Sequence, residues 1–291
     1  DPFHWNIVGT PWISIYEFQI PFSFSVGKQN ASFEHPFYQF GASPSYKWLT
    51  VHAGYRNMTF NPYTLNGHTF LGGGIEMNPG KFRFAVMAGR LSDATEYDTT
   101  ANVIEEPSYK RFGFGAKIGY GTESNNVDIM FFKAKDKVGS IEEPPYDQKV
   151  TPGENLTIGI STKQKIGKYL NWYADLGASL FTRDLVGTDS FYVGNNLLEK
   201  FDFVFKPNLS SRANLAVKTG LNLRVKQLSL ATEYERVAPE YESMGSYFFA
   251  NDFNKILINP SVSLAKNKVR LNTSYNFQWN NLKNTRLQTT Y

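Results

Sequence analysis

Apolar and polar residues alternate along segment after segment of this chain, and the segments are joined in turn by very short and very long connections. Over 212–225, one parity reads Ala213, Leu215, Val217, Thr219, Leu221, Leu223 and Val225. The other reads Arg212, Asn214, Ala216, Lys218, Gly220, Asn222 and Arg224. Side chains alternate across a strand, so such a segment has one face for hydrocarbon and one for water or a polar interior. Near the end, Val269, Leu271, Thr273, Tyr275, Phe277 and Trp279 oppose Arg270, Asn272, Ser274, Asn276, Gln278 and Asn280. Three aromatics closing the apolar face suit a strand that crosses into a membrane interface.

The pattern predicts strands at 4–15, 18–28, 38–46, 48–57, 70–77, 82–91, 111–121, 126–136, 155–165, 169–183, 211–225, 228–237, 254–265 and 268–280, with a further one starting near Thr285. Tight connections fall at Tyr16-Glu17, Tyr46-Lys47, Asn78 to Lys81, Thr122 to Asn125, Gly167-Lys168, Lys226-Gln227 and Lys266 to Lys268, where Asn, Gly and Pro suit hairpin turns. Long connections cover 29–37, 58–69, 92–110, 137–154, 184–210 and 238–253. Repeated loops of that length count against a compact soluble domain. Outer-membrane barrels pair short periplasmic turns with long extracellular loops. The fold expected is therefore all-β: an antiparallel up-and-down transmembrane β-barrel of at least 14 strands, forming a single domain over 1–291 in the bacterial outer membrane. In that orientation the first strand enters from the outside, so the sequence reads as an internal section of a longer barrel, continuing beyond both Asp1 and Tyr291.

Composition agrees by exclusion. Mean hydropathy is −0.38 over 291 residues, and no run approaches the roughly 18 apolar residues of a membrane helix. Barrel strands escape that test because only half of each faces lipid. The 17 Tyr, 24 Phe and 5 Trp exceed the needs of an ordinary soluble domain. Cysteine is absent, which excludes disulfides and thiolate metal sites. The net charge of +4 is spread over strands and loops without a dense basic run, unlike a nucleic-acid binder.

Several stretches carry a resemblance: Gly41 to Trp48, His52-Ala53-Gly54-Tyr55-Arg56, Pro62 to His68, Gly72 to Phe84 and Gly89-Arg90-Leu91. Over 1–95 the chain resembles large outer-membrane β-barrel proteins of Bacteroidota, of unassigned function. The resemblance implies location and architecture and brings no catalytic motif. It also implies a partnered role, since such barrels often work in multi-protein surface complexes.

Candidate chemistry is sparse. Of His4, His35, His52 and His68, His52 shares the polar parity of its strand with Trp48, Thr50, Gly54 and Arg56, and Glu76 is a candidate to orient it beside a serine in a barrel hydrolase. A lumenal hydrogen-bonding histidine is the simpler account. Spaced metal-ligand motifs are missing, and the acidic loop residues Glu105, Glu106, Glu142, Glu143 and Asp147 suit solvated loops as well as a calcium site. Gly113, Gly115, Gly119 and Gly121 fall on one parity with Arg111 and Lys117, where glycine lets an inserted segment approach the wall. No catalytic residue, cofactor or metal is expected.

The inner face is expected to carry Arg83, Lys117, Lys163, Arg212, Lys218, Arg224 and Arg270 with Glu233 and Glu235. These residues serve either for pairing or for selectivity toward anions. Aromatics in the loops, Phe191, Tyr192, Phe201, Phe203, Phe205, Tyr241, Tyr247, Phe248 and Phe249, suit contact surfaces. The sequence favours a non-enzymatic structural or interaction component of an outer-membrane complex, surrounded by outer-membrane lipid and lipopolysaccharide. A porin-like channel for small polar or anionic solutes is the first alternative and a hydrolase the second.

Overall fold

A computed structural model describes residues 5–28, 39–97, 106–142, 150–187, 205, 207–264, 268–284 and 290. The strands are Trp5–Gly9 (β1), Trp12–Ile15 (β2), Phe18–Lys28 (β3), Gln39–Ala42 (β4), Ser45–Tyr46 (β5), Leu49–Thr59 (β6), Asn66–Met77 (β7), Phe82–Ser92 (β8) and Arg111–Gly121 (β9). They continue with Asn125–Asp136 (β10), Glu154–Ile166 (β11), Leu170–Thr182 (β12), Ser211–Val225 (β13), Leu228–Val237 (β14), Phe253–Leu264 (β15), Val269–Asn272 (β16) and Tyr275–Asn280 (β17). All belong to one antiparallel sheet in which each stave pairs with its sequence neighbours, the up-and-down order of a transmembrane β-barrel. Among the described residues, no ladder joins β16 or β17 to β1 or β2.

Three expected strands are each split in two, and proline is present at every break. Pro11 separates β1 from β2, Pro44 separates β4 from β5, and Pro260 lies opposite the gap between β16 and β17. Proline has no N–H to give to a ladder, so the pairing skips it. Among the described residues, counting each split pair as one stave gives fourteen, as expected; the further strand expected near Thr285 lies outside them. Tight turns close the hairpins at one end, with Tyr16, Lys47 and Lys226 at positive φ and Gly80 and Gly167 likewise. That end is called the turn end below, and the opposite one the loop end.

The outward parity is apolar and unburied by protein: Phe84, Ile118, Ile129, Ile160, Leu176, Leu215 and Phe277 are all exposed. A soluble protein would not show so continuous an apolar belt. At the turn end the ring of Phe82 packs edge-on against Tyr120 at 5.1 Å, and Phe18 approaches Tyr46 at 6.5 Å, as members of an interfacial girdle.

The inward parity is not uniformly polar, and here the structure corrects the sequence reading. Met58, Phe70, Met87, Met130 and Phe132 point inward and form a buried apolar cluster with Phe60, Leu65 and Met244 from the connections. A second cluster joins Tyr63 and Tyr241 to Ala216 and Val237. The core of this barrel lies in its lumen, over the loop-end half of β6–β14. Glycine prepares the wall for it: a Cβ on Gly115 would come within 2.9 Å of the Phe60 ring, and one on Gly159 within 2.7 Å of Thr64. The inner-face glycines were expected to let an inserted segment approach, and Gly115 does so.

Candidate functional site

Two connections fold into the lumen and meet there. The first was expected as a long outer loop over 58–69. Instead β6 runs to Thr59 and β7 starts at Asn66, leaving 60–65 as a short infolded loop. A bulge between Asn57 and Thr59 re-aims the chain at its entry. Asn61 organises the tip, since its Oδ1 accepts from the Tyr63 and Thr64 amides and the Thr64 hydroxyl, each at 2.9 Å. Its Nδ2 donates 3.2 Å across the lumen to the carbonyl of Leu176 on β12.

The second is the strap 238–252, between β14 and β15. Leu65 and Gly245 form a parallel bridge, the Asn66 amide donates to the Gly245 carbonyl at 2.8 Å, and the Tyr241 hydroxyl donates to the Tyr63 carbonyl at 2.7 Å. Ser243 donates to the Thr64 carbonyl. At the strap's far side, Asn155 is fully buried. Its Nδ2 donates to Ser179 Oγ at 2.9 Å and to the Leu180 carbonyl at 3.0 Å, and its Oδ1 accepts from the Met244 amide at 3.0 Å. Asn155→Ala takes the acceptor from the buried Met244 amide, while Ser179 keeps its bond to the Glu242 carbonyl, and a loss of about 1–3 kcal/mol is expected. A lowered urea midpoint of the barrel in detergent is the measurement.

Tyr63, Leu65 and Tyr241 are each 1% exposed or less. Side chains of this size contribute about 1.5–3 kcal/mol apiece when fully buried. The two loops are therefore held as part of the barrel's core and fill the loop-end lumen beside β6–β14.

A charged network borders the loops. Tyr63 donates to Glu235 at 2.9 Å and Tyr173 to Glu233 at 2.7 Å. Glu233 also lies 3.2 Å from Lys218 and 3.8 Å from Lys255. Burial, reinforced by the Glu235 carboxylate, pushes the Tyr63 phenol well above its ordinary range, so it remains a neutral donor. Elsewhere Arg83 binds Asp128 through Nε at 3.0 Å and Nη2 at 2.6 Å, and Arg111 binds Asp136 at 2.7 Å.

The expected inner-face charges thus divide in two. Arg83, Lys218 and Arg212 are ion-paired, Arg212 with Glu240, and Lys117 lies 5.6 Å from the Phe60 ring centre as a cation–π contact. Lys163, Arg224 and Arg270 are exposed at the turn end. Arg212 and Arg224 do not pair with Glu233 or Glu235. Lys255 on β15 supplies the second cation, and its inward parity opposite Glu235 was legible in the pattern.

The expected contact aromatics need the largest correction. Phe191, Tyr192, Phe201 and Phe203 lie outside the described residues. Phe205 is buried, and Tyr241 and Phe249 belong to the Tyr63 cluster that fills the lumen. Tyr247 stacks on His68 at 4.0 Å while keeping 58% of its surface exposed, and Phe248 is 94% exposed. Of the acidic loop residues, Glu105, Glu143 and Asp147 also lie outside the described residues.

Ser43 lies 2.8 Å from His52 Nδ1, while Glu76 is 3.7 Å from His52 Nε2. The second separation exceeds hydrogen-bond length, so the carboxylate does not orient the ring as a nucleophile's base requires. Neighbouring Arg56 donates to the Pro21 and Gly41 carbonyls and to Ser23. The cluster knits β3, β4 and β6 together as a polar network.

No family model and no curated protein matches the chain. Among solved structures, the chain is similar to Pseudomonas aeruginosa OccK2 (OpdF) in complex with glucuronate, at 9% identity and TM-score 0.48, over 95% of this chain and 74% of that one. It is also similar to a BenF-like porin from Pseudomonas fluorescens Pf-5, at 10% identity and TM-score 0.46, over 95% and 75%. Pseudomonas aeruginosa OccK8 (OprE) gives 12% identity and TM-score 0.45, over 90% and 73%. At such distances neither activity nor solute transfers, and the barrel assignment rests on the ladders and the apolar outer belt.

Proposed function

We propose that this barrel is a porin-like channel for small polar solutes in the bacterial outer membrane, with its turns in the periplasm and its long loops outside. One observation carries the reading. The infolded loops pack mainly on the β6–β14 side, with Phe253 of β15 at their margin, whereas the other staves carry polar inward residues that are open to solvent. Ser14 and Gln19 on β2 and β3 and Asn272, Asn276 and Gln278 on β16 and β17 are all exposed on this parity. A filled half facing a hydrated half leaves a narrowed aqueous route, and a barrel of this strand number is wide enough for one.

The interaction role favoured by the sequence retains a specific support in Phe248 and Tyr247 at the loop end. Planar-bilayer recording of the purified protein separates the two readings. Stable single-channel steps in potassium chloride are expected. Membranes that stay silent at saturating protein would overturn the channel and favour the scaffold.

A further inference from the structure

Charge is distributed very unevenly along the lumen. Around the infolded loops every inward-facing carboxylate has a partner: Asp136 with Arg111, Glu233 with Lys218 and Lys255, Glu235 with Tyr63, and Asp175 with the Ser161 hydroxyl at 2.5 Å. Toward the turn end the balance changes. Lys163 and Lys165 on β11, Arg224 on β13 and Arg270 on β16 have inward parity, set by the registers Asn126↔Lys163, Asn171↔Lys165, Arg224↔Ser229 and Ser263↔Arg270. All four side chains are exposed, and no ion pair holds them among the described residues. The inward acids at this level among the described residues are Asp128, committed to Arg83, and Glu76, which lies 3.7 Å from His52 Nε2. The adjoining turns add Lys168 and Lys226, against Glu123 and a Glu17 held 3.4 Å from Lys47.

We propose that Lys163, Lys165, Arg224 and Arg270 form a cationic ring at the turn-end mouth that makes the channel prefer small anions, such as carboxylates and phosphates. This rests on the channel reading. The ion pairs inside the narrowing largely cancel as seen by a passing ion, and Asp175, held by a hydroxyl, stands against Lys117, held by a ring, whereas an unpaired ring of one sign raises the local concentration of counter-ions. Exposed charges act over about 8 Å at physiological ionic strength and about 3 Å in molar salt, so the preference fades as salt rises.

The test is the reversal potential of the full chain in a planar bilayer under a potassium chloride gradient. Wild type is expected to be several-fold more permeable to chloride than to potassium at low salt, with the ratio falling toward unity in molar salt. Joint Lys163→Gln, Lys165→Gln, Arg224→Gln and Arg270→Gln substitution should bring the low-salt ratio close to unity. The double variant Arg83→Gln with Asp128→Asn, which removes a neutral pair, should keep the wild-type ratio. Conductance without anion preference, or a quadruple variant as anion-selective as wild type, would overturn the ring and leave the channel standing. A silent wild type would remove the channel reading itself, and the ring with it.

Discussion

Replacing strap residues 241–249 with a Gly-Ser-Gly link is expected to raise single-channel conductance several-fold. The strap fills the loop-end lumen with Tyr241, Met244 and Gly245 and holds the 60–65 loop through the Leu65–Gly245 bridge and the Tyr241 and Ser243 hydroxyls. Without it the infolded loop loses its partner and the narrowing opens. The wall should survive, because the ladders of β11–β13 run for 13 to 15 residues and none passes through the strap. Retained heat-modifiable migration on gels checks that point, and single-channel recording checks the main one. Phe248→Ala is the control: a ring 94% exposed supports nothing inside, and its removal should leave conductance unchanged. An excised strap with wild-type conductance would mean that the current does not pass the narrowing.

The second large effect concerns the outer face. Ile129 is 52% exposed and sits between Ile118 and Ile160 on the neighbouring strands. Ile129→Arg is expected to cost about 2–4 kcal/mol if the site lies near the bilayer midplane, and less near an interface. The same charge at inward-facing, exposed Asn222 should change stability by no more than about 0.5 kcal/mol. Urea unfolding in lipid vesicles measures both. Equal penalties at the two positions would contradict the assignment of the two faces.

The legibility of this protein varied with the range of the interactions involved. Face assignment needs only a period of two, so Leu215 outward and Lys218 inward could be read directly from the strand. The infolded loops were invisible for a related reason: Met130, Phe131 and Phe132 are apolar on both parities, and periodicity cannot say that Met130 and Phe132 meet a plug while Phe131 meets lipid. Tyr241 and Phe249 looked like contact aromatics because an aromatic in a polar loop has the same local signature whether it points outward or folds in. The signal that did exist was glycine. Gly115, Gly159 and Gly177 fall on inward parities where the loop residues touch the wall, but only Gly115 was read as a point of approach.

Strand number, turn positions, the side facing lipid and the basic character of the inner face follow from residue type and spacing, because the alternation of a pleated strand is a local property. Which of those basic residues are neutralised, and where the lumen is filled, depended on tertiary structure. An ion pair such as Lys218 with Glu233 or Lys255 with Glu235 requires the register between strands, and the contact of Tyr63 with Glu235 spans 172 positions of the chain. Curling the sheet brings these groups together, and no local pattern encodes a distance of that kind.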